Sequence, residues 1–162
     1  MNMADQKTNA SFELLGEITW LMSRSKLHRT WAIGAIHQWV TPALLAKQFR
    51  LFRANDRPVA YVSWAYLSEE VEAEYLKNTG NLRPDQWQSG DRLWLTDMIA
   101  EDGVGRKVLT EMRNTTFADS IGKAVRWRKG SDTLQIYYLH GKNAVSQARE
   151  RLEQARQTVT PT

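Results

Sequence analysis

The chain has 162 residues, three histidines, no cysteine and a net charge of +4. That length suits one domain with a proper core, and the missing thiols exclude a cysteine nucleophile, a disulfide framework and thiolate zinc sites. No run approaches the ~20 apolar residues of a membrane span, the polar start has no signal-peptide core, and the basic balance points to an acidic partner.

Residues 1–10 read as a flexible leader and 158–162 as a flexible tail around a single domain, 11–157. From Phe12 to Met22, the residues Leu14, Leu15, Ile18, Leu21 and Met22 recur at helical spacing. His28 follows in the break after this helix. Trp31 to Gln48 reads as one or two helical pieces interrupted at Thr41-Pro42, where proline suits a first turn. Gln48–Arg53 and Pro58–Tyr66 are rich in aromatic and β-branched residues and flank Ala54-Asn55-Asp56-Arg57, which predicts a hairpin. Ser68 can cap a helix running to about Lys77. A polar segment with Pro84 and Gly90 leads into a strand, Leu93 to Ile99. A helix from about Val104 to Phe117 comes next. Strands about Ala124–Arg128 and Thr133–Leu139 follow, split by Lys129-Gly130-Ser131-Asp132. A last helix, about Asn143–Gln157, carries a narrow apolar stripe at Val145, Ala148, Leu152 and Ala155. Hairpin-linked strands with helices between them predict an α+β fold with a mixed or antiparallel central sheet, preceded by a helical segment. The seven tryptophans suit a protein with deep apolar surfaces or grooves to line.

Two residues carry the chemistry. Asp97 is an acid inside an otherwise apolar strand, where an ionised carboxylate is costly unless something pairs with it. His28 sits in the short run Ser23-Arg24-Ser25-Lys26-Leu27-His28-Arg29. A His28/Asp97 dyad is the most economical catalytic apparatus the composition offers. The plainer alternatives are a histidine that caps or packs, and a carboxylate answered by backbone amides. Ser25 can either hydrogen-bond the His28 ring or cap the following turn, and capping is the favoured role. Gly103-Val104-Gly105-Arg106-Lys107 directly follows the Asp97 strand. Glycines at a helix start let backbone amides face an anion, aided by the helix dipole and by Arg106 and Lys107. A pyrophosphate or phosphopantetheine phosphate fits such a turn, as does a plain loop. Basic residues gather from Arg106 to Lys129 and around His28, at Arg24, Lys26 and Arg29. Trp127 among them could stack on bases, but no nucleic-acid motif accompanies it, so nucleic acid is not an expected partner. His37 and His140 have no neighbours at metal-ligand spacing and read as structural, so no metal is expected.

Several blocks resemble the toxin-activating lysine acyltransferases of RTX cytolysins. Leu15-Gly16-Glu17-Ile18-Thr19-Trp20-Leu21, followed by Ser25-Lys26-Leu27-His28-Arg29-Thr30-Trp31, is similar to the family's N-terminal signature. Pro58-Val59-Ala60-Tyr61-Val62-Ser63-Trp64-Ala65 and Ser89-Gly90-Asp91-Arg92-Leu93-Trp94-Leu95-Thr96-Asp97-Met98-Ile99-Ala100 are similar to its central blocks, and Gly141-Lys142 to a fourth. The likeness runs from about Leu14 to Lys142. It implies a GNAT-like fold, His28 and Asp97 as the catalytic pair, and transfer of a fatty acyl group from acyl carrier protein to internal lysines of a protoxin. It further suggests a homodimer, with no bound cofactor and with the phosphopantetheine thioester as co-substrate; the cytoplasm is the location expected from the missing span and signal-peptide core. The chain departs from the family at Lys26, where proline is common, and in the Glu101-Asp102-Gly103-Val104-Gly105 turn.

The reaction so implied is attack of a lysine amine on an acyl thioester. A free lysine has a pKa of ~10.4 and must lose a proton first, and an imidazole can take one near neutral pH. Direct transfer and an acyl-imidazole intermediate are both open. Two other readings compete: a GNAT-type N-acetyltransferase using acetyl-CoA, and a non-enzymatic nucleic-acid module built on the basic-aromatic surface.

Overall fold

The computed structural model describes residues 3–79, 81–127 and 134–157. The expected turn Lys129-Gly130-Ser131-Asp132, the neighbouring Arg128 and the tail from Thr158 lie outside the described residues. The chain divides into two compact units after Gly105. No described helix is long and apolar enough to cross a membrane.

The first unit opens with helix α1, Met3–Arg24. It begins well before the apolar spacing does, because the residues ahead of Phe12 include good helix formers such as Ala4, Gln6 and Lys7 without an apolar stripe to announce them. Its buried stripe is Ile18, Leu21 and Met22, with Leu15 packed alongside. Each fully buried aliphatic side chain contributes about 1.5–3 kcal/mol. After α1 a single 3₁₀ turn spans His28–Thr30. A π-helical turn, Ile36–Val40, runs straight into helix α2, Thr41–Ala46, with Pro42 in its first turn as the sequence suggests. Lys47, in the left-handed region at φ 55°, ends α2.

Strands β1, Phe49–Ala54, and β2, Arg57–Leu67, form the expected antiparallel hairpin. Asn55 and Asp56 both have positive φ, 49° and 59°, as a two-residue primed turn requires. Ser68 caps helix α3, Glu69–Lys77, its hydroxyl accepting from the Val71 amide at 3.3 Å. A 3₁₀ turn at Pro84–Gln86 precedes strand β3, Arg92–Ala100, which pairs antiparallel with β2.

The β2–β3 register contains one irregularity of consequence. Ser63 lies opposite Asp97, yet the next residue, Trp64, lies opposite Leu95. Thr96 is therefore surplus, a β-bulge. Directly opposed residues share a face, so the bulge puts Asp97 and Ile99 with Ser63 and Tyr61, while Leu95 and Leu93 face the other way with Trp64 and Tyr66. Tyr61 and Ile99 belong to the same core as Ile18, Leu21 and Met22, which makes this the face that α1 covers. On that face too, buried Glu72 of α3 accepts from the Trp94 indole at 2.6 Å and from Arg92 at 2.9 Å.

The second unit contains helix α4, strands β4, Ile121–Trp127, and β5, Leu134–His140, and helix α5, Val145–Gln157. Helix α4 spans Gly105–Asn114, three residues short of the expected end at Phe117, which is buried just beyond it. β4 and β5 pair antiparallel throughout. Gly141 is pinned by its surroundings: a Cβ there would collide with the Phe117 and Ala118 carbonyl oxygens. Helices with antiparallel strands make the chain α+β, in agreement with a GNAT-like fold.

Candidate active site

Three consecutive local structures bring the site together. The last turn of α1 ends with the Ser25 amide donating to the Leu21 and Met22 carbonyls, both at 3.1 Å. The 3₁₀ turn then swings His28 inward, so that it is only 4% exposed. The Thr96 bulge turns Asp97 to the same face of the sheet. The result is a line of three polar groups. His28 Nε2 lies 3.0 Å from Asp97 Oδ1, and His28 Nδ1 lies 2.7 Å from Ser25 Oγ.

A carboxylate only accepts, so Nε2 carries the ring proton and Nδ1 is the acceptor towards the Ser25 hydroxyl. Asp97 Oδ1 also accepts from the Met98 amide at 2.7 Å. The backbone amide foreseen as the plainer alternative for Asp97 is thus present together with the histidine. Ser25 was expected chiefly to cap the turn. Its capping bond, from the His28 amide, is 3.4 Å and weak, whereas the ring bond is the short one. Trp31 backs the imidazole at 4.5 Å between ring centroids, tilted by 56°, and Trp39 stands behind it. Sequence reasoning passed over Trp31 as a site residue, although its place three positions after His28 fits one turn. Burial pushes the Tyr61 phenol, on the same face as Asp97, well above its ordinary value, so it stays neutral beside the acid.

The remaining predicted residues fall as follows. Gly103 adopts φ 80° and Gly105 begins α4. Arg106 and Lys107 are exposed on its first turn. Arg113 Nε donates to the His140 carbonyl at 2.8 Å, and the His140 ring Nδ1 lies 3.1 Å from the Gly141 carbonyl oxygen. His37 is exposed on the π-helical turn.

A buried imidazole held between a hydroxyl and a carboxylate is the apparatus of proton transfer in group-transfer enzymes. The chain belongs to the RTX toxin acyltransferase family, whose family model matches residues 7–139. It is similar to the RTX-II toxin-activating lysine-acyltransferase of Actinobacillus pleuropneumoniae, at 38% identity over 141 residues, 86% of this chain and 88% of that one. It is likewise similar to the protein-lysine myristoyltransferase of Kingella kingae, at 36% identity over 82% of this chain and 78% of that protein. A protein-lysine myristoyltransferase of Escherichia coli is 38% identical over the same shares.

Proposed function

We propose that this protein transfers a fatty acyl group from acyl carrier protein to the ε-amines of internal lysines in an RTX protoxin. The observation that carries this reading is the Ser25–His28–Asp97 line of hydrogen bonds in a member of an acyltransferase family. His28 acts as the base through Nδ1. That nitrogen faces Ser25, so the proton of the incoming amine passes by way of the Ser25 hydroxyl or after its displacement. The amine nitrogen attacks the thioester carbonyl, a C–N bond forms, the C–S bond breaks, and the imidazolium returns the proton to the departing thiolate. Asp97 orients the ring and stabilises the imidazolium, the role of the acid in a catalytic triad.

The chemistry of the Gly103–Lys107 segment supports a hold on the phosphopantetheine phosphate, with Gly103 left-handed and two cationic side chains following. The chain is taken to work in the cytoplasm, where acyl carrier protein is loaded, and as a homodimer. Intact mass measurement tests the central claim. A protoxin fragment is incubated with acyl-loaded carrier protein and either the wild type or His28→Ala. The expected result is a fatty-acyl increment on lysine with the wild type alone. An increment with both proteins removes His28 from the chemistry, and transfer from acetyl-CoA in preference to the carrier replaces the donor.

A further inference from the structure

His28 is sealed on both ring nitrogens, so an amine can reach Nδ1 only from the side on which Ser25 lies. Ser25 lines a cleft of about 840 Å³ within the first unit. The walls of that cleft are unbalanced in charge: Arg24, Lys26, Arg29 and Arg57 stand against Glu101 and Asp102. Glu101 is already engaged. Arg57 grips it through both nitrogens at 2.5 and 2.9 Å, and Arg24 approaches to 3.9 Å. The Arg57 hydrogen bond keeps the Glu101 carboxyl below its usual range and therefore ionised. Both arginines also lie over the Trp20 ring, at 4.8 Å for Arg24 and 5.7 Å for Arg57. That half of the wall is satisfied and fixed. Lys26 and Arg29 are different: both are exposed and, among the described residues, neither has an ion-pair partner.

A cleft with surplus positive charge repels a lone lysine ammonium. This favours the neutral amine that attack requires, but it works against binding. The segment bearing the lysine must therefore bring compensating negative charge. We infer that Lys26 and Arg29 select an acceptor lysine flanked by aspartate or glutamate, with the flanking carboxylates taking the two uncommitted cations while the lysine reaches past Ser25. This deepens the proposed reaction and rests on it.

The test uses the full-length protein, acyl-loaded carrier protein, and peptides identical except for the residues flanking one lysine: aspartate, alanine or arginine. The wild type is expected to favour the aspartate-flanked peptide over the alanine one by about five- to tenfold in kcat/KM, as two exposed charge pairs allow. The preference should shrink with added salt. In the double variant Lys26→Glu/Arg29→Glu, whose exposed side chains can change sign without disturbing the core, the order should reverse in favour of the arginine-flanked peptide. A preference that survives the charge reversal overturns the inference, as does a reversal that raises the KM for the carrier and leaves flank choice alone. Equal transfer to all three peptides overturns it and leaves lysine acylation standing, whereas transfer to none counts against both.

Discussion

Every nitrogen of the His28 ring is committed, and each partner has a separate task. Asp97→Asn keeps the side chain's size but loses the charge, so imidazolium formation is no longer supported. Its kcat should fall by about a hundred- to ten-thousandfold, the range for acid–base groups, with an unchanged circular dichroism spectrum, and near-wild-type turnover would sink the dyad. Ser25→Ala should be milder. It removes a bond of 2.7 Å but leaves Nδ1 free to meet the amine directly, so kcat should drop by about tenfold or less while kcat with a small, unhindered amine acceptor drops less still. His28 and Asp97 were legible because each breaks its local pattern: a lone histidine in a helix break, and an acid in an apolar strand. The Ser25 bond was harder to see. Three residues of separation permit either a ring contact or a cap, and only the pitch of the 3₁₀ turn decides between them.

At the level of elements, the Ser68 cap and the Asn55-Asp56 turn were readable because side-chain chemistry at those positions acts on the neighbouring backbone. Ser68→Ala strips the acceptor from the Val71 amide and should cost about 1 kcal/mol of unfolding free energy, measured by chemical denaturation. A loss below a tenth of that would mean the α3 start is held by packing alone. Other elements gave no such notice. The π-helical turn at Ile36–Val40 has no residue type that marks it, and it reads as ordinary helix from its apolar spacing. The bulge at Thr96 is equally silent. Strict alternation from Leu93 and Leu95 places Asp97 on their face, opposite to where it lies, because the surplus residue shows only once β2 and β3 are paired.

For the molecule as a whole, a net charge of +4 makes association with acidic partners depend on screening. The KM for acyl carrier protein should rise as salt goes from 50 to about 300 mM, over which the Debye length falls to below ~10 Å, while kcat at saturating donor stays nearly constant. A KM indifferent to salt would assign donor recognition to apolar contacts instead. The fold class was readable from the order of helices and strands. The cleft was not, because its walls come from the end of α1, the start of β2 and the end of β3, segments far apart in the chain.

The surplus residue in β3 makes the reaction depend on counting as well as on chemistry. Thr96 can change identity at the cost of its hydrogen bond to Ser63, 2.8 Å long. Deleting it leaves Leu95 against Trp64 and Asp97 against Ser63 in an unbroken ladder, so Asp97 keeps its face. Drawing Thr96 into the ladder as a paired residue is another matter, because strict alternation then turns Asp97 away from His28, to the face occupied by Leu95. Such a protein would hold His28 and Asp97 in its sequence and keep them apart, so in this strand the pairing register carries as much as the identity of the residues.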